Sequence, residues 1–103
     1  MANTFKRYPS SASVGTTAET VYTVGAATTT VLIGVNLANV TAAQIKVDVQ
    51  VAGVYLVKGV PIPANASLSA LDGKIILEAA DEVIVTSDTA DSCDVLLSVL
   101  EQT

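Results

Sequence analysis

The segment QIKVDVQV, residues 44–51, decides the fold class of this 103-residue chain. Aliphatic side chains alternate in it with charged or amide ones, as Ile45, Val47, Val49 and Val51 against Lys46, Asp48 and Gln50. A period of two predicts a strand with one buried and one solvent-exposed face, as in an antiparallel sheet. Ala52-Gly53 then supplies a two-residue turn into VYLVK, so the sequence predicts a β-hairpin here.

The rest of the chain extends this pattern. Short apolar segments, separated by turn signals, occupy residues 20–24, 28–38, 68–71, 74–78, 82–87 and 93–101. No segment has a helical period. We expect an all-β fold, a single antiparallel β-sandwich (jelly-roll-like or Ig-like) of about seven or eight short strands. In residues 28–38 a regular alternation places Val31, Ile33, Val35 and Leu37 on one face.

Two prolines interrupt the strand pattern in GVPIPANASL, residues 59–68. Proline has no N–H to donate to a sheet, so Pro61 and Pro63 indicate a sheet edge rather than a central strand. We predict that Ile62 is buried, that Asn65 is exposed in a turn, and that the stretch holds no active-site residue.

The first 18 residues show neither a strand nor a helix period and predict an extended N-terminal arm, with the sandwich in residues 19–103. Phe5, Lys6, Arg7 and Tyr8 combine two aromatic rings with the only adjacent basic pair. Such a cluster is either part of a solvated tail or a segment that orders on a neighbouring subunit. We take these four residues as the candidate partner-binding site.

The chain lacks the side chains of the common catalytic machines. Histidine is absent and Cys93 is the single cysteine, so no Ser-His-Asp or Cys-His arrangement and no intrachain disulfide can form. The placement of Cys93 before Val95 predicts a buried thiol. Asp88, Asp91 and Asp94 could hold a weak Ca²⁺, but they lack the glycine and final glutamate of a dedicated loop and are better explained as solvated turn residues. We expect no enzyme activity, no catalytic or metal site and no cofactor.

Charge and hydropathy limit the partners. Five basic residues against ten acidic ones give a net charge of −5, which argues against nucleic-acid binding. No run reaches the ~18 apolar residues of a membrane span, and the N-terminus has no signal-peptide core. We therefore expect no nucleic-acid or membrane partner and synthesis in a cytoplasm.

Most of the chain resembles small virion structural proteins of tailed bacteriophages, notably phages of marine and cyanobacterial hosts. The resemblance is carried by VPIPANASLSALDGKIILEAADEVIVTS, residues 60–87, and by the final CDVLLSVLE, residues 93–101. The opening MANTFKRYPSSASVGTT and the following VYTVGAATTTVLIGVNLAN are also similar to such proteins. Ala80 stands where a glycine before the aspartate is commoner.

The resemblance implies a non-enzymatic β-sandwich module of the virion, assembled in the host cytoplasm. The favoured role is capsid decoration, in which the protein binds and stabilises the assembled shell; a neck, tail or fibre-associated position is the alternative. The partners would be the major capsid protein or neck and tail proteins, with a homo-oligomer expected. A carbohydrate- or receptor-binding module, from a different class, would need exposed aromatic rings, for which Tyr22 and Tyr55 are the candidates in the body.

Overall fold

The computed structural model describes residues 3–10, 13–71 and 73–103, which form nine strands and no helix. The strands are β1 Asn3–Pro9, β2 Glu19–Thr23, β3 Thr29–Asn39, β4 Ile45–Val51, β5 Val54–Ile62, β6 Ser67–Ser69, β7 Ile75–Leu77, β8 Glu82–Ser87 and β9 Cys93–Gln102. They form two antiparallel sheets, so the all-β sandwich is confirmed, with nine strands rather than seven or eight.

The first sheet has the order β1-β9-β3-β6, and β7 pairs with the opposite end of β3 from β6. The second sheet has the order β2-β8-β4-β5. Aliphatic side chains from both sheets fill the space between them, with Leu32, Leu37, Val47, Val85 and Leu97 fully buried. Because these side chains are small and branched, the two sheets can pack closely.

The hairpin predicted from residues 44–58 is present. Ile45, Val47, Val49 and Val51 are buried, as the alternation predicts. Ala52 and Gly53 both have positive φ, 52° and 79°, which is the backbone requirement of a type I′ turn. The turn and the alternation therefore specify the same register.

The predicted faces of β3 are only half right, because a bulge changes the alternation. The register with β9 shifts between Leu32 and Gly34, so Leu32 and then Val35 and Leu37 face the core. Ile33, predicted to share a face with Val35, is exposed. A bulge adds one residue to a strand and exchanges the faces beyond it.

The proline stretch lies at a sheet edge, as predicted. Pro61 and Ile62 end β5, the outermost strand of the second sheet, and Ile62 is fully buried. Asn65 is exposed at φ 57° in the turn that follows. The Asn39 side-chain amide donates to the carbonyls of Ile62 at 3.0 Å and Pro63 at 3.1 Å, so it ties β3 of the first sheet to the end of β5.

The N-terminal segment, predicted as an extended arm, contributes a strand to the first sheet. Residues 3–9 pair along their whole length with β9, from Asn3 opposite Gln102 to Pro9 opposite Leu96. Val14 is buried in the core, and its N–H donates to the Cys93 carbonyl at 2.7 Å. The boundary at residue 18 therefore does not separate an arm from the core, since the backbone of this polar segment completes the first sheet.

Candidate interaction surface

The four predicted partner-binding residues lie on β1 and divide between its two faces. Lys6 and Tyr8 lie opposite the buried Val99 and Leu97 and point to the same side. Phe5 and Arg7 lie opposite Leu100 and Ser98 and point away from the core. Because side chains alternate along a strand, the segment offers two separate pairs rather than one cluster.

The inner pair, Lys6 and Tyr8, belongs to a hydrogen-bonded network around Glu101. The Tyr8 and Tyr22 hydroxyls each donate to Glu101 Oε2 at 2.7 Å, and Lys6 Nζ lies 3.5 Å from Oε1. The two tyrosine rings are 4.5 Å apart, and Thr30 bonds to the Tyr22 hydroxyl at 2.8 Å. Since Tyr8 and Tyr22 belong to different sheets, this network closes one end of the sandwich.

The electrostatics of the network match a structural role. Burial raises the pKa of Tyr8 to about 12, and the hydrogen bond to Glu101 acts in the same direction. Burial also raises the pKa of Tyr22 to about 12. The hydroxyl of Tyr8, followed by that of Tyr22, lowers the pKa of the Glu101 carboxyl. Glu101 is thus held as a carboxylate with its oxygens occupied by groups of its own chain.

The outer face of the first sheet carries a row of apolar side chains. The register places Phe5 opposite Leu100, Leu100 opposite Val31, and Val31 opposite Ile76, so one row crosses four strands. Its ends are the most exposed, with Phe5 at 75% and Ile76 at 68% of full exposure. Ile33 and Leu96 add exposed apolar area on the same sheet. We call Phe5, Val31, Ile76 and Leu100 the apolar row.

The outer face of the second sheet has a different composition. Its central strands β4 and β8 present Lys46, Asp48, Gln50, Glu82 and Thr86 there, because these residues alternate with buried valines. Ile84 lies among them and is half-buried. The exposed apolar row is therefore a property of the first sheet and does not follow from the fold alone.

The free edge of β1 is the second part of the surface. The Ser10 N–H donates to the Val95 carbonyl at 2.8 Å, so the hydrogen-bonding positions toward β9 fall on residues 10, 8, 6 and 4. The N–H groups of Asn3, Phe5 and Arg7 then point to the open side of the strand. The backbone nitrogen of Pro9 also points to the open side, so its missing N–H removes no hydrogen bond between β1 and β9.

The acidic loop after β8 is organised by its own chain. Asp88 Oδ1 accepts the Lys46 N–H at 3.1 Å and the Thr89 hydroxyl at 3.0 Å, and the Lys46 bond lowers the pKa of Asp88. Asp94 Oδ1 accepts the Ser13 hydroxyl at 2.6 Å. Within the described residues, no three acidic or thiol side chains are grouped to hold a metal ion. The loop is thus a hydrogen-bonded turn.

Cys93 and the tyrosines are the remaining side chains with reactive or ring-stacking groups. Cys93 is fully buried, as predicted, and burial followed by the nearby Asp94 raises the pKa of its thiol to about 11. Tyr22, counted from the sequence as a ring for sugar stacking, is instead buried in the Glu101 network. Tyr55 is exposed, but the Lys58 ammonium lies 4.4 Å from its ring centre. Of the two rings predicted for sugar stacking, the described structure therefore exposes only Tyr55.

Comparison with known proteins gives no relative. No protein-family model, curated protein or solved structure matches this chain. In the described part of the chain, no helix has the length and hydropathy required to cross a membrane. No relative therefore assigns a function to the apolar row or to the free edge of β1.

Proposed function

We propose that this chain is a non-enzymatic structural protein of a tailed-phage virion, and that it decorates the capsid. It binds the assembled shell through the outer face of the first sheet and stabilises it. The apolar row is the observation that carries this proposal, and the sequence resemblance to virion proteins supplies the biological setting.

An apolar row on one face of a sandwich is suited to docking on a flat protein surface. Contiguous exposed apolar area on a soluble domain marks an interaction site. Fully removing an exposed aliphatic or aromatic side chain from water stabilises a complex by about 1.5–3 kcal/mol. Phe5 and Ile76 retain most of that exposure, so their burial provides the largest gain on this face.

The charged residues near the apolar row indicate which charge the partner surface should carry. Arg7 lies on the same outer face beside Phe5, whereas Lys6 is paired with Glu101. We therefore expect the shell surface to offer an apolar strip with an acidic group near the position of Arg7. The major capsid protein is the proposed partner. The copy number per virion separates capsid decoration from a neck or tail position. A decoration protein is expected in numbers comparable to those of the shell subunits, whereas a neck or tail protein follows the symmetry of the tail.

The test compares two equally exposed apolar residues on different sheets. Ile76 and Val54 are both 68% exposed, but only Ile76 belongs to the apolar row. Shells lacking this protein are mixed with purified variants, and binding is measured by co-sedimentation. We expect Ile76→Lys to weaken shell binding at least about tenfold, equivalent to about 1.4 kcal/mol, and Val54→Lys to leave it unchanged.

The controls make this result decisive. Circular dichroism should show the same β signal for both variants, since each replaces a side chain outside the core. Equal loss of binding in the two variants would contradict docking through the first sheet. Absence of wild-type binding to the shells, together with a copy number of neck or tail symmetry, would contradict capsid decoration itself.

A further inference from the structure

The free edge of β1 is the longest regular sheet edge among the described strands. β2 and β5 are the edges of the second sheet, and both have irregular registers with their neighbours. Each of β1 and β5 has one proline near its C-terminal end, so the regular register is what distinguishes β1 from β5, and the strands β6 and β7 have only three residues each. β1 pairs through seven consecutive residues without a shift. Long regular edges are templates for adding another strand, whereas bulges, prolines and short strands prevent it.

We propose that two copies of this chain pair through β1, antiparallel and about a two-fold axis that passes beside Phe5. The first sheet then continues from one copy into the other. Phe5 lies opposite Phe5 of the second copy, and Asn3 lies opposite Arg7 of the second copy. This register uses every outward N–H group of the described strand, those of Asn3, Phe5 and Arg7, and forms about six hydrogen bonds in three pairs.

Charge excludes the registers displaced toward the basic pair, and an axis at Thr4 would pair only Asn3 and Phe5 of the three outward N–H groups within the described strand. With the axis at Phe5, Arg7 faces a neutral Asn3 and Lys6 faces a neutral Thr4. The two Arg7 positions are separated by four residues along the strands, or about 14 Å, which exceeds the ~8 Å screening length at physiological salt. An axis at Lys6 would place two ammonium groups directly opposite each other, and an axis at Arg7 would do the same with two guanidinium groups.

The pairing also joins the exposed apolar side chains. Phe5 stands at the β1 end of the apolar row, so the two rings meet at the axis and the rows of both copies form one continuous line across the dimer. Neighbouring aromatic rings across paired strands are favourable contacts. The inference depends on the strand edge and not on shell binding, since the isolated chain carries both halves of the interface.

Sedimentation velocity of the full chain over a range of concentrations tests the dimer. We expect a monomer–dimer equilibrium for the wild type and a dissociation constant at least about 100-fold weaker for Phe5→Lys, because the variant places two ammonium groups directly opposite each other at the axis. Ile76→Lys and Val54→Lys should dimerise like the wild type. A wild type that stays monomeric at every concentration, or a Phe5→Lys variant that dimerises normally, would overturn the proposal.

Oxidative cross-linking tests the register. In the proposed pairing the two Phe5 Cα atoms are about 5.5 Å apart, within the range that a disulfide spans. Phe5→Cys should therefore give a covalent dimer on mild oxidation, whereas Arg7→Cys should not. The native Cys93 does not interfere, since it is fully buried. Cross-linking of Arg7→Cys as readily as Phe5→Cys would overturn this register. Thermal unfolding of both variants verifies that the fold is retained.

Discussion

Strands β4 and β9 bury the same kind of side chain but differ in what they present to solvent. Both alternate regularly toward the core, β4 with Ile45 to Val51 and β9 with Cys93 to Val99. On the outside β4 carries lysine, aspartate and glutamine, whereas β9 carries Leu96 and Leu100 beside Asp94 and Ser98. These outward leucines are not among the buried core residues, so the first sheet exposes apolar area that the proposed docking would bury.

Two neighbouring leucines in β9 give the largest expected effect on stability. Leu97 is fully buried between the sheets and Leu96 is 41% exposed on the outer face. We expect Leu97→Ala to lower the free energy of unfolding by about 2–5 kcal/mol, because it leaves a cavity in the core. Leu96→Ala should change it by less than about 0.5 kcal/mol. Urea unfolding of both variants checks the pair, and similar losses would show that the outer face is itself packed.

Two asparagines of β3 provide the second comparison. The Asn39 amide donates to the carbonyls of Ala43, Ile62 and Pro63, whereas Asn36 is exposed on the outer face. Asn39→Ala should destabilise the protein by about 1–3 kcal/mol, because it leaves buried carbonyl groups without a donor. Asn36→Ala serves as the matched control and should have little effect. Thermal unfolding that ranks the two variants in the reverse order would contradict the role of Asn39 in joining the sheets.

The Glu101 network gives a smaller effect that depends on pH. Its hydrogen bonds lower the pKa of Glu101 in the folded state, so its stabilisation is complete above the ordinary value of 4.5 and is lost as pH falls through the lowered value. The raised pKa values of Tyr8 and Tyr22 act at the alkaline side of the stability profile, where stability is lost as pH rises from 10 toward 12.

Replacing the Glu101 carboxylate isolates its contribution to the pH dependence of stability. Glu101→Gln retains one acceptor oxygen, so we expect a loss of about 1 kcal/mol at neutral pH, the value of a typical hydrogen bond. The acid limb should become shallower in the variant. The midpoint of urea unfolding measured from pH 3 to pH 8 follows this change, and an unchanged acid limb would show that another carboxyl controls it.

Local patterns predicted the elements of the second sheet well. The alternation in residues 45–51, the Ala52-Gly53 turn and the proline edge all correspond to the structure, because each depends on interactions between residues close in sequence. The sequence grouped Phe5, Lys6, Arg7 and Tyr8 as partner-binding residues without assigning their faces. The structure places Phe5 and Arg7 on the outer face, whereas Tyr8 donates to Glu101, 93 positions away in the chain, and Lys6 pairs with the same carboxylate.

The fold class and the buried positions of regular strands follow from the sequence alone, because the period of two is a property of the strand backbone. Three features required the three-dimensional structure: the pairing of residues 3–9 with β9, the bulge that turns Ile33 outward, and the single row formed by four apolar residues from four strands. Cross-strand register sets these features. Register depends on backbone hydrogen bonds between distant segments, which a polar stretch forms as readily as an apolar one.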